Sequence, residues 1–568
     1  MQKSLQFLDY VVFLVYFVIV AGYGLYIYQK KKRKTTDSKD FFLAEGSLTW
    51  WAIGASLIAS NISAEQFIGM AGSGFSIGLA ISTYEWMAAA TLIIVAVFFL
   101  PIYLKNKIYT MPQFLLTRYN KTVSTIMAVF WLLLYVVVNL TSILYLGALA
   151  INTISGINFY VCMSLIAVFA VIITLGGMKV IGYTDVIQVF FLILGGLATT
   201  YLALNLVSEH FGETGVMKGF SLLTKHADEH FHMILKKDDP HYLDLPGLSV
   251  LIGGMWIVNL NYWGCNQYIT QRALGADLKT ARSGLLFAGF LKLLMPVIVV
   301  LPGIAAYVLH SQGMFQAEMI KGGELSPDNA YPVLMNLLPA GMKGLAFAAL
   351  TAAVVASLAG KANSISTIFS LDIYKEIFNR NAGEKQIVNI GRVVVVVAMI
   401  LAIIISPFLG IDKKGGFQFI QEYTGFVSPG IFAMFILGFF WKRTTPNAAL
   451  FAMIGGFALS IVLKSLPLGV DLSGLYDFGF AVPNTEGVYE IPFLDRMGIV
   501  FVVCVIGMVI ISLIAPAKPK KITTDSGEVI ETAHALEVDA SMFKPSMAFT
   551  VTALLICGIL AALYTIFW

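Results

Sequence analysis

Apolar residues recur along this chain in blocks of about 17–25, the length a helix needs to cross the hydrocarbon core of a bilayer. Within a block they fall all round the helix, where a soluble domain would confine them to a stripe. Hydropathy predicts an all-α integral membrane protein of about fourteen spans. They run over residues 10–28, 50–70, 77–104, 123–151, 159–175, 181–206 and 248–269, then 285–309, 344–371, 393–409, 419–441, 448–463, 499–514 and 547–567. Residues 1–48 hold the first span and a linker, and 49–206 and 248–441 form two blocks of five spans each. Residues 207–247 separate the blocks, and 442–568 carry three further spans with a connector at 515–545.

Basic residues orient these spans. Lys30, Lys31, Lys32, Arg33 and Lys34 follow the first block, which is too long for a cleaved signal and lacks a small-residue cleavage site. If that end is cytoplasmic, so are the loops with Lys105, Lys107, Arg118 and Lys121, those with Arg272, Lys279 and Arg282, and those with Lys375, Arg380, Lys385 and Arg392. This is the positive-inside bias. An even span count then puts both termini on the outer face of the plasma (inner) membrane. The long loops 207–246, 310–342 and 467–492 fall outside with them.

Composition agrees. Only 12% of the 568 residues are charged and 58% are hydrophobic, against roughly 25% charged in soluble domains. No nucleotide-binding loop, appended output domain or nucleophile–base spacing occurs, so an ATP-driven pump, a sensor and an enzyme are all disfavoured. Nothing suggests a nucleic-acid ligand or an obligate protein partner. The four cysteines lie far apart in or beside apolar segments and read as small buried hydrophobes. His226, His230 and His232 read as solvated loop residues, a metal site being the lesser alternative.

Polar groups inside the spans carry the functional signal. The second span contains Asn61, Ser63, Glu65 and Gln66, which cannot all face lipid. The seventh carries Asn259, Asn261, Tyr262 and Trp263. These spans open the two five-span blocks, and an odd number of spans per block inverts the second block on the first. Two discontinuous helices at matching positions are the pattern of inverted-repeat transporters, whose sites lie at such breaks. Interhelical hydrogen bonding is the plainer reading of each residue taken singly. Glu85, Asp185, Lys292 and Lys361 also fall within or at the edge of spans. A centred, uncompensated charge costs roughly 2.5–3.5 kcal/mol, so each is expected to face a cavity or a partner.

The runs ASLIASNISAEQFIGM (55–70), YEWM (84–87), TDVIQVF (184–190), YWGCNQY (262–268), FQFIQEYTG (417–425) and YTIFW (564–568) resemble the solute:sodium symporter family. Within it they resemble the bacterial sodium/galactose (sodium/glucose-type) cotransporters, and the likeness covers nearly the whole chain. It implies a ten-helix core of two inverted repeats, sodium as the co-transported ion, and a hexose carried by symport. Carried over by position, Asn61, Gln66, Glu85, Asn259, Lys292, Gln421 and Tyr262 would bind sugar. Tyr262 would also be the inner gate, with Met70, Tyr84 and Phe417 as the outer lid. A hexose hydroxyl both donates and accepts, so a carboxylate, an ammonium and amides suit it. Sodium would meet the carbonyls of Ala59, Ile62 and Ala353 and the hydroxyl of Ser357.

Three positions depart from that pattern. Ala356 replaces one of two adjacent serines at the sodium site, and Ala88 replaces a serine toward the sugar. Lys361 stands one turn beyond Ser357, where an apolar residue is expected. Its ammonium is expected to pair with Asp185, the alternative being an approach to the sodium site. Other solutes compatible with the resemblance are an inositol, sialic acid or an amino acid. A non-transporting sugar sensor of the same fold is a further alternative.

Overall fold

The apolar blocks are helices in the computed structural model of the protein, which describes residues 5–30, 38–44, 48–321, 323–408, 416–516, 521–523, 529–531 and 536–568. Residues 31–34, the core of the expected cytoplasmic cluster, and much of the connector lie outside the described residues. Ten helices there are long and apolar enough to cross a membrane. In chain order the principal helices begin with α1 (Phe7–Lys30), α2 (Trp50–Asn61) and α3 (Glu65–Met70, continued by Ala71–Ser76). Next come α4 (Leu79–Lys105), α5 (Lys121–Ser155), α6 (Phe159–Thr174), α7 (Gly177–His210) and α8 (Val216–His226). The second half holds α9 (Gly254–Cys265), α10 (Gln267–Leu274), α11 (Leu278–Ser311), α12 (Met342–Phe378) and α13 (Glu384–Phe408). Then follow α14 (Gly416–Gly425), α15 (Ser428–Phe440), α16 (Pro446–Leu468), α17 (Phe493–Ile514) and α18 (Met547–Ile566).

The helices sort by what surrounds them. In α12, almost every residue from Gly344 to Thr367 is buried, and α2 is buried from Ala52 to Asn61. By contrast α1, α6, α17 and α18 expose Leu14, Val18, Leu165, Ile172, Ile506, Ile510 and Leu554. Helices apolar on their outward faces need lipid there, so α1, α6, α17 and α18 form a rim around an interior that includes α2, α3, α10, α11 and α12. Close approach inside depends on missing side chains. A Cβ on Gly360 of α12 would stand 2.4 Å from the Arg272 guanidinium and 2.9 Å from Ser60 Oγ.

Prolines and polar side chains shape the interior. Pro296 and Pro302 lie inside α11 and remove two helix donors. Neighbouring side chains bond carbonyls one residue away from the two that the prolines free (Ile298 and Lys292): Thr200 Oγ1 donates to the Val297 carbonyl at 2.8 Å, and Trp86 Nε1 to that of Leu293 at 3.4 Å.

The loops expected outside are more structured than their polarity suggests. Residues 207–247 fold as α8 and a tight turn that packs on the bundle, and the later loops carry short antiparallel hairpins. His230 is half-buried, its ring stacked on Tyr307 at 3.9 Å and its Nε2 3.0 Å from the Phe75 carbonyl. His226 and His232 are exposed, and no cluster that could hold a metal occurs among the described residues.

Candidate functional site

The site is organised by a break between α2 and α3. Ile62 leaves the helix at φ −78°, ψ 119°. Ser63 Oγ accepts the Glu65 N–H at 3.1 Å, while Gln66 Oε1 reaches back to the Ser63 N–H at 2.9 Å. This is a variant of the S-x-x-Q capping box, the serine oxygen taking the N–H just before the glutamine, in the middle of a spanning segment. It lets α3 start afresh with its first donors satisfied. The Gln66 and Phe67 N–H groups both bond the Ser63 carbonyl, each at 3.2 Å. The carbonyls of Ala59 and Ile62 therefore receive no backbone N–H among the described residues.

The second break separates α9 from α10 at Asn266, φ −101°, ψ 126°. It lies beyond the polar block 259–264, which stays helical. Asn259 Nδ2 donates to the Met255 carbonyl one turn earlier at 3.2 Å, and Asn261 Nδ2 reaches Ser428 Oγ at 3.1 Å. Tyr135 of α5 fixes the break by donating its hydroxyl to Asn266 Oδ1, and that hydroxyl accepts the Gln267 N–H at 3.1 Å.

A cavity lies between the two breaks. Asn61, Gln66, Glu85, Asn259, Tyr262, Lys292 and Gln421 all line it. One polar chain links four of them. The Lys292 ammonium, 1% exposed, contacts both Glu85 Oε2 and Asn61 Oδ1, and Asn61 Nδ2 donates to the Tyr262 hydroxyl at 2.9 Å. Lys292 also stands 5.1 Å from the centre of the Trp263 ring, a cation–π contact. Glu85 and Lys292, expected to meet a solute separately, thus neutralise each other at the cavity wall. Gln66 has its oxygen committed to the cap.

Tyr84 and Phe417 meet edge to face at 5.0 Å on the wall where α4 faces α14. Met70 is fully buried and does not reach the cavity lining. Glu65, Trp131, Asn139, Trp263 and Tyr268 do line it without having been assigned a role from sequence, and so does Lys361, which was expected to pair with Asp185. Glu65 was recognisable as a charge in the second span. Trp263 and Tyr268 were hidden by the frequency of aromatic residues in membrane helices.

The candidate sodium residues cluster beside the first break. Ala59, Ile62, Ala353 and Ser357 are all fully buried or nearly so. Ser357 Oγ donates to the Ser60 carbonyl at 3.0 Å, joining α12 to the unravelled end of α2. Ala353 precedes Ser357 by one turn on the same face of α12. The chemistry suits a hard cation: two carbonyls without backbone donors beside a hydroxyl.

The expected Asp185–Lys361 pair is not formed. Asp185 accepts from Ser56 Oγ at 2.5 Å and faces Arg272 Nη2 at 3.7 Å, both side chains 1% exposed. Arg272 donates from Nε to the Ser56 carbonyl at 2.9 Å and from Nη1 to that of Tyr268. Hydropathy had left Arg272 in a cytoplasmic loop, but α10 continues past the apolar run and carries it inside. Lys361 instead donates to Ser357 Oγ at 3.3 Å and lies 4.9 Å from the centre of the Tyr268 ring.

A bundle of spanning helices that holds a polar cavity between two helix breaks defines a membrane transporter for small solutes. Residues 41–456 match the model of the sodium:solute symporter family, and the chain belongs to that family. It is similar to the sodium/glucose cotransporter of Vibrio parahaemolyticus, 46% identical over 578 aligned residues covering 100% of this chain and 99% of that protein. The sodium/myo-inositol cotransporter 2 of Homo sapiens is 34% identical over 518 residues, covering 87% of this chain and 74% of that protein. Among solved structures, a substrate-bound, outward-open Na⁺-coupled sialic acid symporter shares the fold. Its TM-score is 0.74 at 23% identity, covering 90% of this chain and 99% of that one. The protein is thus a multi-pass membrane symporter with sodium as the co-transported ion.

Proposed function

We propose that this symporter carries a hexose, of glucose or galactose type, into the cell by alternating access. One observation carries the reading: the Glu85–Lys292–Asn61–Tyr262 chain lines a cavity that abuts the capped helix break. A neutralised carboxylate–ammonium pair with amides and a phenol offers donors and acceptors without net charge, which suits an uncharged polyol. For the same reason the pair disfavours sialic acid or an amino acid, since Lys292 is already matched by Glu85. Gln66, through its free amide NH₂, Asn259 and Gln421 complete the ring of sugar partners. The names of the relatives point the same way, toward glucose and myo-inositol.

Tyr262 serves as the platform under the sugar and as the inner gate. Tyr84 and Phe417 form the outer lid, with Met70 packed behind it. Sodium binds the carbonyls of Ala59, Ile62 and Ala353 with the Ser357 hydroxyl, holding α2 and α12 together. Its loss to the cytoplasm frees the break and releases the sugar. Entry of a monovalent cation into a negative interior supplies about 2.3 kcal/mol per 100 mV.

The ten long helices, the shorter α6 and α15, and the two interrupted segments α2–α3 and α9–α10 make fourteen spans. Spans two to eleven form the two inverted repeats, and both termini face outward from the inner membrane. The reading is tested by uptake of labelled glucose and galactose into proteoliposomes under inward sodium, proton or no gradient, with inositols, sialic acid and amino acids as competitors. Sodium-driven uptake blocked by hexoses supports it. Uptake blocked only by an inositol, or binding without uptake, replaces the hexose by that solute or the transporter by a sensor.

A further inference from the structure

Lys361 has no part in the solute chain, yet it is buried at 2% exposure and lines the same cavity. Its ammonium donates to Ser357 Oγ at 3.3 Å, and that hydroxyl in turn donates to the Ser60 carbonyl at 3.0 Å. One of the two Ser357 lone pairs open to a cation is therefore already taken by a positive charge of the chain itself. The ionised groups that act on Lys361 are the Glu65 carboxylate, from α3, and the Arg272 guanidinium, from α10. Glu65 holds Ser142 Oγ at 3.0 Å and also lines the cavity, so it offers the ammonium a second resting place. Arg272 is matched to Asp185 and offers none.

We infer that Lys361 is a tethered cation that occupies part of the sodium site in the sodium-free protein and moves toward Glu65 when sodium binds. The inference rests on Ser357 being a sodium ligand, as proposed above. It extends that proposal by making the affinity for sodium the outcome of a competition inside the chain. With a cation–oxygen contact of about 2.4 Å, in the range for a hard cation, sodium and an unmoved ammonium are at most about 5.7 Å apart. At an effective dielectric constant of about 20 their repulsion corresponds to roughly a hundredfold in affinity. Movement toward Glu65 relieves part of it. Sodium binding then requires a free Glu65 carboxylate, and the same movement withdraws a charge from one wall of the solute cavity.

The test is ²²Na⁺ binding to the purified full-length protein in detergent, without any sugar, so an error in the assigned solute cannot affect it. Lys361→Met is expected to lower the half-saturating sodium concentration by at least fivefold and up to about a hundredfold. Lys361→Arg, which keeps the charge, should stay within about threefold of the wild type. Glu65→Gln should weaken binding, and Glu65→Gln/Lys361→Met should restore it to the level of Lys361→Met. Such a rescue is not expected of a merely structural lysine. Lys361→Met that elutes and melts like the wild type but binds sodium no more tightly overturns the inference. So does a Glu65→Gln defect that persists when Lys361 is removed. Ser357→Ala tests the underlying reading separately: if it leaves wild-type sodium binding intact, the site is elsewhere whatever Lys361 does.

Discussion

Replacing Gln66 by alanine should weaken sodium binding even when no sugar is present. Gln66 was expected to be a sugar ligand, but its oxygen caps the Ser63 N–H across 2.9 Å. Removing it leaves a buried donor unpaired, which costs about 1–3 kcal/mol. The chain has one nearby remedy: to close the break, so that Ser63 N–H bonds the Ala59 carbonyl as in a continuous helix. That carbonyl is one of the proposed sodium ligands, so the relief comes at sodium's expense. If 1–2 kcal/mol of the strain is transmitted, half-saturating sodium rises about 5–30-fold. Ser63→Ala removes the acceptor for the Glu65 N–H from the same box and should act in the same direction. Gln421→Ala, which lines the cavity and takes no part in the cap, should raise only the sugar constant. Equilibrium sodium binding, followed with ²²Na⁺ or by intrinsic tryptophan fluorescence, reads all three. The reasoning fails if Gln66→Ala binds sodium within twofold of the wild type while losing sugar.

Other perturbations follow from the buried charges and the outer loop. Arg272→Met strands Asp185 and should cost about 3–5 kcal/mol of unfolding free energy in mixed micelles. A cycle with Asp185→Asn should show strong coupling to Arg272, whereas a larger coupling of Asp185 to Lys361 would contradict the observed pairing. Glu85→Gln and Lys292→Met should each abolish uptake and lower stability, and the double variant should regain stability without regaining uptake. Burial lowers the pKa of His230 below its usual 6.5. The docked loop therefore favours the neutral ring: its contribution is complete above pH 6.5 and declines as the pH falls below that value. Amide exchange in residues 226–234, corrected for intrinsic rate, should accelerate on acidification to pH 5.5, and His230→Gln should remove that response.

The long apolar runs were legible because lipid demands length and all-round hydrophobicity, both of which are local properties. The first break was legible too, from Asn61, Ser63, Glu65 and Gln66, which cannot all face lipid, whereas the cap that Ser63 and Gln66 form emerged only in three dimensions. The second was misplaced by a few residues for a physical reason. Asn259 and Asn261 satisfy themselves within or beside an intact helix, whereas Asn266 is unwound by Tyr135, a partner on another span. Asp185 announced a buried charge, but its partner could not be read from apolar windows, because α10 carries Arg272 inward beyond the last apolar run. Polarity alone likewise concealed the docking of His230 on Tyr307. Seven candidate solute residues converge on one cavity, while the pairing of Glu85 with Lys292 emerged only in three dimensions.

The central claim is that one helix break serves two ligands, with sodium on its bare carbonyls and the solute on the side chains beyond it. Reciprocal binding tests this most directly: glucose or galactose affinity with and without saturating sodium, and sodium affinity with and without saturating sugar, on the same purified protein. The account predicts that each ligand tightens the other by the same factor, about fivefold or more. Sugar and sodium affinities that are independent of each other would contradict it.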